Sequence, residues 1–156
     1  MDYARHDTPI GSLLLVGSEA GLAGIYTEQH EGGPEVQAHW HEAPERFSDV
    51  IQQLDEYFAG TRTRFQLRLA PVGTPFQMRV WTLLQDIELG QTRSYGELAT
   101  ALGNPNASRA VGAANARNPL SIVVPCHRVI GANGALTGYA GGEARKRWLL
   151  DHERRR

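Results

Sequence analysis

The sequence predicts an α+β chain in two units: a small N-terminal α+β unit over residues 1–72 and a mainly helical C-terminal unit over 73–156. Three observations carry this. Near the N-terminus, two apolar runs flank a glycine-bearing turn, the pattern of a β-hairpin. In the second half, Thr74-Pro75 and Ser94-Tyr95-Gly96-Glu97 supply the chemistry that starts helices. Between them Pro71, Gly73 and Pro75 cluster, which interrupts helix and strand alike. A chain of 156 residues buries one good core or two small ones packed together.

Taken in order, Ile10 to Gly17 and Leu22 to Thr27 read as paired strands, with Glu19-Ala20-Gly21 between them. Residues 28–45 are polar, lack periodicity and read as a long surface connection. His30, His39 and His41 fall there, but they have neither cysteines nor a ligand at regular spacing to complete a metal site. Ser48 is a candidate cap for a helix to Ala59. In it Val50, Ile51, Leu54, Tyr57 and Phe58 recur at helical spacing, and Gly60 supplies the stop. Arg64 to Leu69 alternates Phe65, Leu67 and Leu69 with Gln66 and Arg68, which predicts a half-buried strand. This first unit carries no catalytic constellation of its own and reads as a scaffold.

The second unit opens with a helix from Thr74-Pro75 in which Phe76, Val80, Leu83, Leu84 and Ile87 share a face, ending at Gly90. A short helix follows from the capping box at Ser94 to Leu102, and another from Ala107 to about Ala116. Joined by Gly103-Asn104-Pro105-Asn106, the two form a helix-turn-helix. Ala110, Gly112, Ala113 and Ala114 make the second helix slim, suited either to tight packing or to close approach to a groove. Leu120 to Val124 is apolar and mostly β-branched, predicting a buried strand that Pro125 ends. Gly131-Ala132-Asn133-Gly134 and Ala135 to Thr137 suggest a hairpin in the position of a wing. Glu143 to Glu153 closes the chain as a helix, and Arg154-Arg155-Arg156 reads as a solvated tail.

Composition excludes several classes. No stretch reaches the roughly 18 apolar residues of a membrane-spanning helix, and Met1 to Arg5 lacks the apolar segment of a signal peptide. A cytoplasmic, monomeric protein is expected. The net charge of −1 conceals an asymmetry. Residues 1–60 carry two basic and eleven acidic side chains, a net of −9, whereas residues 61–156 carry fourteen basic and six acidic, a net of +8. A basic half suits a polyanion such as nucleic acid, although the opposed charges also draw the halves together.

One cysteine excludes an internal disulfide and any Cys-x-x-Cys pair. It is Cys126, within Ile122-Val123-Val124-Pro125-Cys126-His127-Arg128-Val129-Ile130. A thiol at a strand end, followed at once by an imidazole and a guanidinium, is expected at the rim of the core, where its thiolate is stabilised. The strand alternation sends Cys126 and His127 to opposite faces, so a loop bend or a bridging water would have to connect them.

Pro125-Cys126-His127-Arg128-Val129, with Asn118-Pro119 upstream and Gly138-Tyr139-Ala140-Gly141-Gly142 downstream, resembles the signature of the O6-alkylguanine-DNA alkyltransferases. The likeness runs from about Phe76 to Glu153. It implies a ribonuclease-H-like N-terminal domain, a winged helix-turn-helix C-terminal domain and double-stranded DNA containing O6-alkylguanine as the partner. O4-alkylthymine is a further expected substrate. The resemblance also implies irreversible, single-step transfer of the alkyl group to Cys126, with no cofactor and no metal. Relatives with a structural zinc hold it by cysteines that this chain lacks.

The same resemblance assigns roles. Cys126 is the acceptor, activated through water by His127, which Glu153 orients; Asn118 is a hinge that ties the reactive loop. Arg109 fills the space of the extruded base, Tyr95 helps rotate the nucleotide and Tyr139 walls the base, while Arg128 and Lys146 support the loop. Three rivals compete: a DNA-binding regulator without chemistry, a Cys-His hydrolase and a redox-sensing thiol. The last is weakened by the missing resolving cysteine.

Overall fold

The computed structural model describes residues 1–30 and 32–155. Its first half is a four-stranded sheet of order β3-β2-β1-β4, with β1 Asp2–Thr8, β2 Gly11–Ser18, β3 Gly21–Thr27 and β4 His41–Glu42. β1 and β3 flank β2 antiparallel, while β4 pairs parallel with β1. The sequence Asp-Tyr-Ala-Arg-His-Asp-Thr gives no apolar alternation, so β1 is absent from the sequence reading. It is a strand because β2 and β4 pair with it on either side.

Helix α1, Ser48–Ala59, follows a 3-10 turn at Pro44–Phe47. Phe47, not Ser48, is its N-cap, and Gly60 ends it in the left-handed conformation expected there (φ 83°). Val50, Leu54 and Tyr57 face inward at helical spacing, beside Leu13, Leu15 and Ile25 of the sheet. Burying Leu54 alone stabilises the fold by roughly 2 kcal/mol, and Leu54→Ala would open a void under α1.

Residues 64–69 do not form the expected strand. Phe65, Leu67 and Leu69 do turn toward the core, but the backbone of Gln66 is satisfied by the Gln53 amide on both sides (2.9 and 3.1 Å) instead of by a ladder. Only Leu69 bridges the sheet, opposite Leu22.

In the second half, α2 spans Pro75–Leu84, β5 Arg93–Ser94, α3 Tyr95–Ala101, α4 Ser108–Ala116, β6 Val129–Ile130 and α5 Glu143–Arg154. Thr74 and Ser94 both close complete capping boxes, with Gln77 and Glu97. α2 ends three residues before Ile87, which reaches the core from a turn. α4 lies between α2 and α3, and Trp81 Nε1 on α2 donates to Ala114 O at 2.8 Å. β5 and β6 pair parallel. Residues 131–137 form a loop closed by Gly131 N–H to Ala135 O (2.9 Å), not a laddered hairpin. Arg154 and Arg155 are exposed, and Arg156 lies outside the described residues.

The largest departure is the segment before Cys126. Leu120 makes one bridge to Ile25 at the edge of β3, and the chain then turns, with Ile122 at φ 75°. Asn118 causes the turn: its Oδ1 accepts from Leu120 N–H (3.0 Å) and its Nδ2 donates to Val124 O (2.8 Å). A left-handed φ is strained for a β-branched residue, and the Asn118 clamp together with burial of Ile122 holds it there.

Candidate active site

Cys126, His127 and Arg128 form a single 3-10 turn beneath α4 and α5. The expected strand alternation therefore does not apply. Cys126 is not at the rim of the core; it is 4 % exposed. Asn115, on the inner face of α4, donates Nδ2–H to Cys126 O (3.2 Å), and Cys126 N–H donates to Val124 O (2.8 Å). Burial pushes the Cys126 thiol up to about 11, against the opposing influence of Asn118 and Lys146. The resting sulfur is therefore a protonated thiol, not the stabilised thiolate that the flanking residues suggested.

His127 is fully buried. Its Nε2 lies 2.6 Å from Glu153 Oε2, and its Nδ1 has no hydrogen-bond partner among the described residues. Burial holds the imidazole below its ordinary pKa, outweighing Glu153. Pairing with the carboxylate assigns the proton to Nε2 and leaves a lone pair on Nδ1. For Glu153, burial acts to raise the pKa, but His127 and Arg128 hold its carboxyl well below the usual range. Arg128 reaches both of its oxygens, Nε to Oε1 at 2.8 Å and Nη2 to Oε2 at 3.1 Å, and donates Nη1–H to Ile87 O (2.6 Å).

Lys146 on α5 is buried and donates to Val129 O and to Thr137 O (2.8 Å). Burial lowers its pKa to about 8, with Cys126 opposing. Its ammonium sits 5.9 Å over the Tyr95 ring, and Tyr95 O–H donates to the same Thr137 carbonyl (2.7 Å). The loop that follows needs its glycines. A Cβ at Gly138, where φ is 76°, would lie 2.5 Å from the Tyr95 oxygen, and one at Gly141 would lie 2.6 Å from the Tyr139 ring. Tyr139 is thereby folded in beside Cys126 and buried; burial raises the pKa of its hydroxyl, against the opposing influence of Ser121.

The structure thus brings together Cys126, His127, Glu153, Asn118, Arg128, Lys146, Tyr95 and Tyr139. Arg109 stands apart, exposed near the start of α4, with no hydrogen bond or ion pair among the described residues. Ala110, Ala113 and Arg117 share its exposed face, while Val111, Ala114 and Asn115 face the core. The small residues therefore serve both readings, packing within and a slim surface without. Two site residues escape sequence reasoning. Asn115 is a polar residue on the buried face of a helix, a signal that was available; Tyr57, which donates to Glu153 Oε2 at 2.6 Å, reads as an ordinary apolar position of α1.

His39 and His41 are exposed, and no three His, Cys, Asp or Glu side chains among the described residues gather to hold a metal. Among those residues no helix is long and apolar enough to cross a membrane.

Comparison with known proteins adds to this geometry. Residues 1–71 match the family model described as 6-O-methylguanine DNA methyltransferase, ribonuclease-like domain, and residues 75–155 match its DNA binding domain. The methylated-DNA–protein-cysteine methyltransferase of Methanosarcina acetivorans is 52% identical over 153 residues, covering 98% of both chains. A crystal structure of Mycobacterium tuberculosis OGT in complex with DNA superposes with a TM-score of 0.92 at 48% identity, covering 99% of this chain and 94% of that one. The O6-methylguanine-DNA methyltransferase of Pyrococcus kodakaraensis has a TM-score of 0.67 at 27% identity, covering 97% and 98%.

Proposed function

This chain belongs to the 6-O-methylguanine DNA methyltransferase family, and from that premise we propose that it carries an alkyl group from O6 of guanine in duplex DNA onto Cys126 Sγ, once per molecule. It is a DNA-binding repair protein with methylated-DNA–protein-cysteine methyltransferase activity. The acceptor is Cys126 because the chain has no other cysteine.

The observation that carries the mechanism is a buried imidazole in the residue that follows Cys126, its Nε2 fixed on a carboxylate and its Nδ1 without a hydrogen-bond partner among the described residues. The thiol proton passes through a bridging water to His127 Nδ1, and Glu153 stabilises the imidazolium that forms. Sγ attacks the alkyl carbon in line; the S–C bond forms as the C–O6 bond breaks. The electron pair leaves with guanine, which is then protonated. O4-alkylthymine offers the same C–O leaving group. With the thiol raised to about 11, ionisation is coupled to attack rather than completed beforehand, and Lys146 and Asn118 ease it. The thioether is not displaced by ordinary thiols, and no second cysteine can resolve it.

The base must leave the duplex to reach a buried sulfur, which costs a few kcal/mol. We assign α3 and α4 as a helix-turn-helix whose slim exposed face, between Arg109 and Arg117, enters the groove. Arg109 fills the space that the base vacates, Tyr95 assists its rotation and Tyr139 walls it beside Cys126. Arg128 and Lys146 brace the loop. The boundary between units is placed at 72–73, and the protein acts as a monomer in the cytoplasm, where thiols stay reduced.

Duplex containing O6-methylguanine, incubated with the protein, should add one methyl group to the Cys126 peptide by mass spectrometry, in amounts equal to the substrate consumed. Cys126→Ser should bind the duplex and transfer nothing. Many substrates consumed per molecule, or consumed substrate beside an unmodified peptide, would overturn this mechanism.

A further inference from the structure

Tyr57 lies on α1 of the N-terminal unit, 96 positions from Glu153 in sequence, and is fully buried. Its phenol O–H donates to Glu153 Oε2 at 2.6 Å, the same oxygen that accepts from His127 Nε2 at 2.6 Å. Arg128 Nη2 also reaches this oxygen. Each donor to a carboxylate oxygen stabilises the anion and weakens its pull on the next proton. Tyr57 is itself held firmly. Its ring packs edge-on against Phe58 (5.1 Å) and His152 (5.4 Å), and its backbone carbonyl accepts from His152 Nε2 (2.9 Å).

Resting on the relay described above, we infer that Tyr57 is a positioning residue for alkyl transfer: its hydroxyl shares Glu153 Oε2 with His127 and so limits how strongly the carboxylate draws the imidazole proton. The N-terminal unit is then more than a scaffold, because it supplies one hydrogen bond of the proton relay. Without that hydroxyl, Glu153 bears more negative charge toward His127, the imidazolium is favoured and the neutral base is populated only at higher pH.

The other ionisable groups around the pair are Arg128 from the reactive turn, Lys146 and His152 from α5, and Cys126 and Tyr139. Tyr57→Phe leaves these side chains in place, keeps the packed ring and deletes the hydroxyl.

The test compares wild type with Tyr57→Phe in the full chain, measuring the single-turnover transfer rate against pH and the His127 titration by NMR of its ring nitrogens. The expected result is that both the acid limb of the rate and the imidazole pKa move up by about 0.5–1 pH unit. The rate on that limb should fall about three- to ten-fold, with the plateau at higher pH little changed. In a Glu153→Gln background the same substitution should move neither. If Tyr57→Phe does not fold, 3-fluorotyrosine placed at position 57 alone, a stronger donor, should move the limb down. A uniform loss of rate with an unmoved imidazole pKa would overturn the inference and leave the relay standing. A wild-type rate that ignores the His127 titration would sink the relay itself, and that outcome shows without any change at Tyr57.

Discussion

The two sides of Cys126 treat their polar groups in opposite ways. On the side of α1 and α5, Glu153 receives bonds from Tyr57, His127 and both Nε and Nη2 of Arg128, so that its oxygens are saturated. On the side of the glycine loop and β3, Thr27 Oγ1 and Asn115 Oδ1 are buried without a hydrogen-bond partner among the described residues, and Ser121 Oγ and the Tyr139 hydroxyl have at best each other. Buried polar atoms are rarely left so. The saturated side is built once, at folding, and fixes the His127 ring through Nε2. The unsaturated side is the one that the proposed function assigns to the extruded base. The His127 ring stands at the division, satisfied at Nε2 and open at Nδ1.

The largest expected effect comes from breaking the saturated side. Glu153→Gln removes the one carboxylate among the described residues that pairs with Arg128 and His127, leaving a guanidinium that is 6 % exposed without that counter-charge. Losing one partner of a buried pair destabilises by about 3–5 kcal/mol, readable as a lowered urea midpoint, and transfer should fall with it because the imidazolium loses its support. A midpoint within experimental scatter of wild type would show that this network is not what holds α5 against the reactive turn.

How far the sequence reveals this contrast depends on how locally each feature is set. The helix starts at Thr74 and Ser94 are legible because their caps bond within three residues. The apolar run before Pro125 reads as a strand because β-branched residues favour one. The Asn118 clamp bends it instead, and no propensity encodes a side chain that captures two backbone groups of its own loop. β1 depends on its neighbours in the sheet, and the Tyr57 hydroxyl on a residue 96 positions away. Cys126 and His127 are named by the motif and Glu153 by the family resemblance, and the pairing of the last two is found in the fold. That the thiol is deeply buried and protonated at rest is not, because burial belongs to the packed whole.

A smaller effect follows from acidification. The Glu153 carboxyl has its pKa depressed in the fold, so its contribution is complete above the ordinary carboxyl value near 4.3. It is lost as pH falls from there toward the folded value, because the unfolded chain then binds the extra proton. His127, also depressed, acts with the same sign, beginning below about 6.5. Glutamine does not titrate. The stability gap between wild type and Glu153→Gln should therefore be constant near neutrality, widen where the wild-type imidazole takes a proton that the variant disfavours, and narrow again as Glu153 is protonated below about pH 4.3. A gap that stays constant down to the acid transition would mean the carboxyl is not specifically stabilised in its ionised form.

The smallest effect is the one that separates the two sides most sharply, because the same atom is deleted from each. Tyr57→Phe removes a hydroxyl bonded to a carboxylate and should destabilise the fold by about 1.5–3 kcal/mol, the range for hydrogen bonds to charged groups. Tyr139→Phe removes a buried hydroxyl whose one neighbour able to bond it is the Ser121 hydroxyl, at a geometry too poor for a good hydrogen bond. Only that weak contact with Ser121 is lost from the resting fold, and the desolvation of a poorly matched polar group is relieved. Stability should be unchanged or rise by up to about 1 kcal/mol. Transfer should move the other way: if that hydroxyl is kept for an extruded base, Tyr139→Phe should slow alkyl transfer while the protein becomes no less stable, the trade expected where a site carries unmet bonds for its ligand. Thermal unfolding of both variants beside their single-turnover rates decides the matter, and a Tyr139→Phe protein destabilised as much as Tyr57→Phe would erase the distinction between the sides.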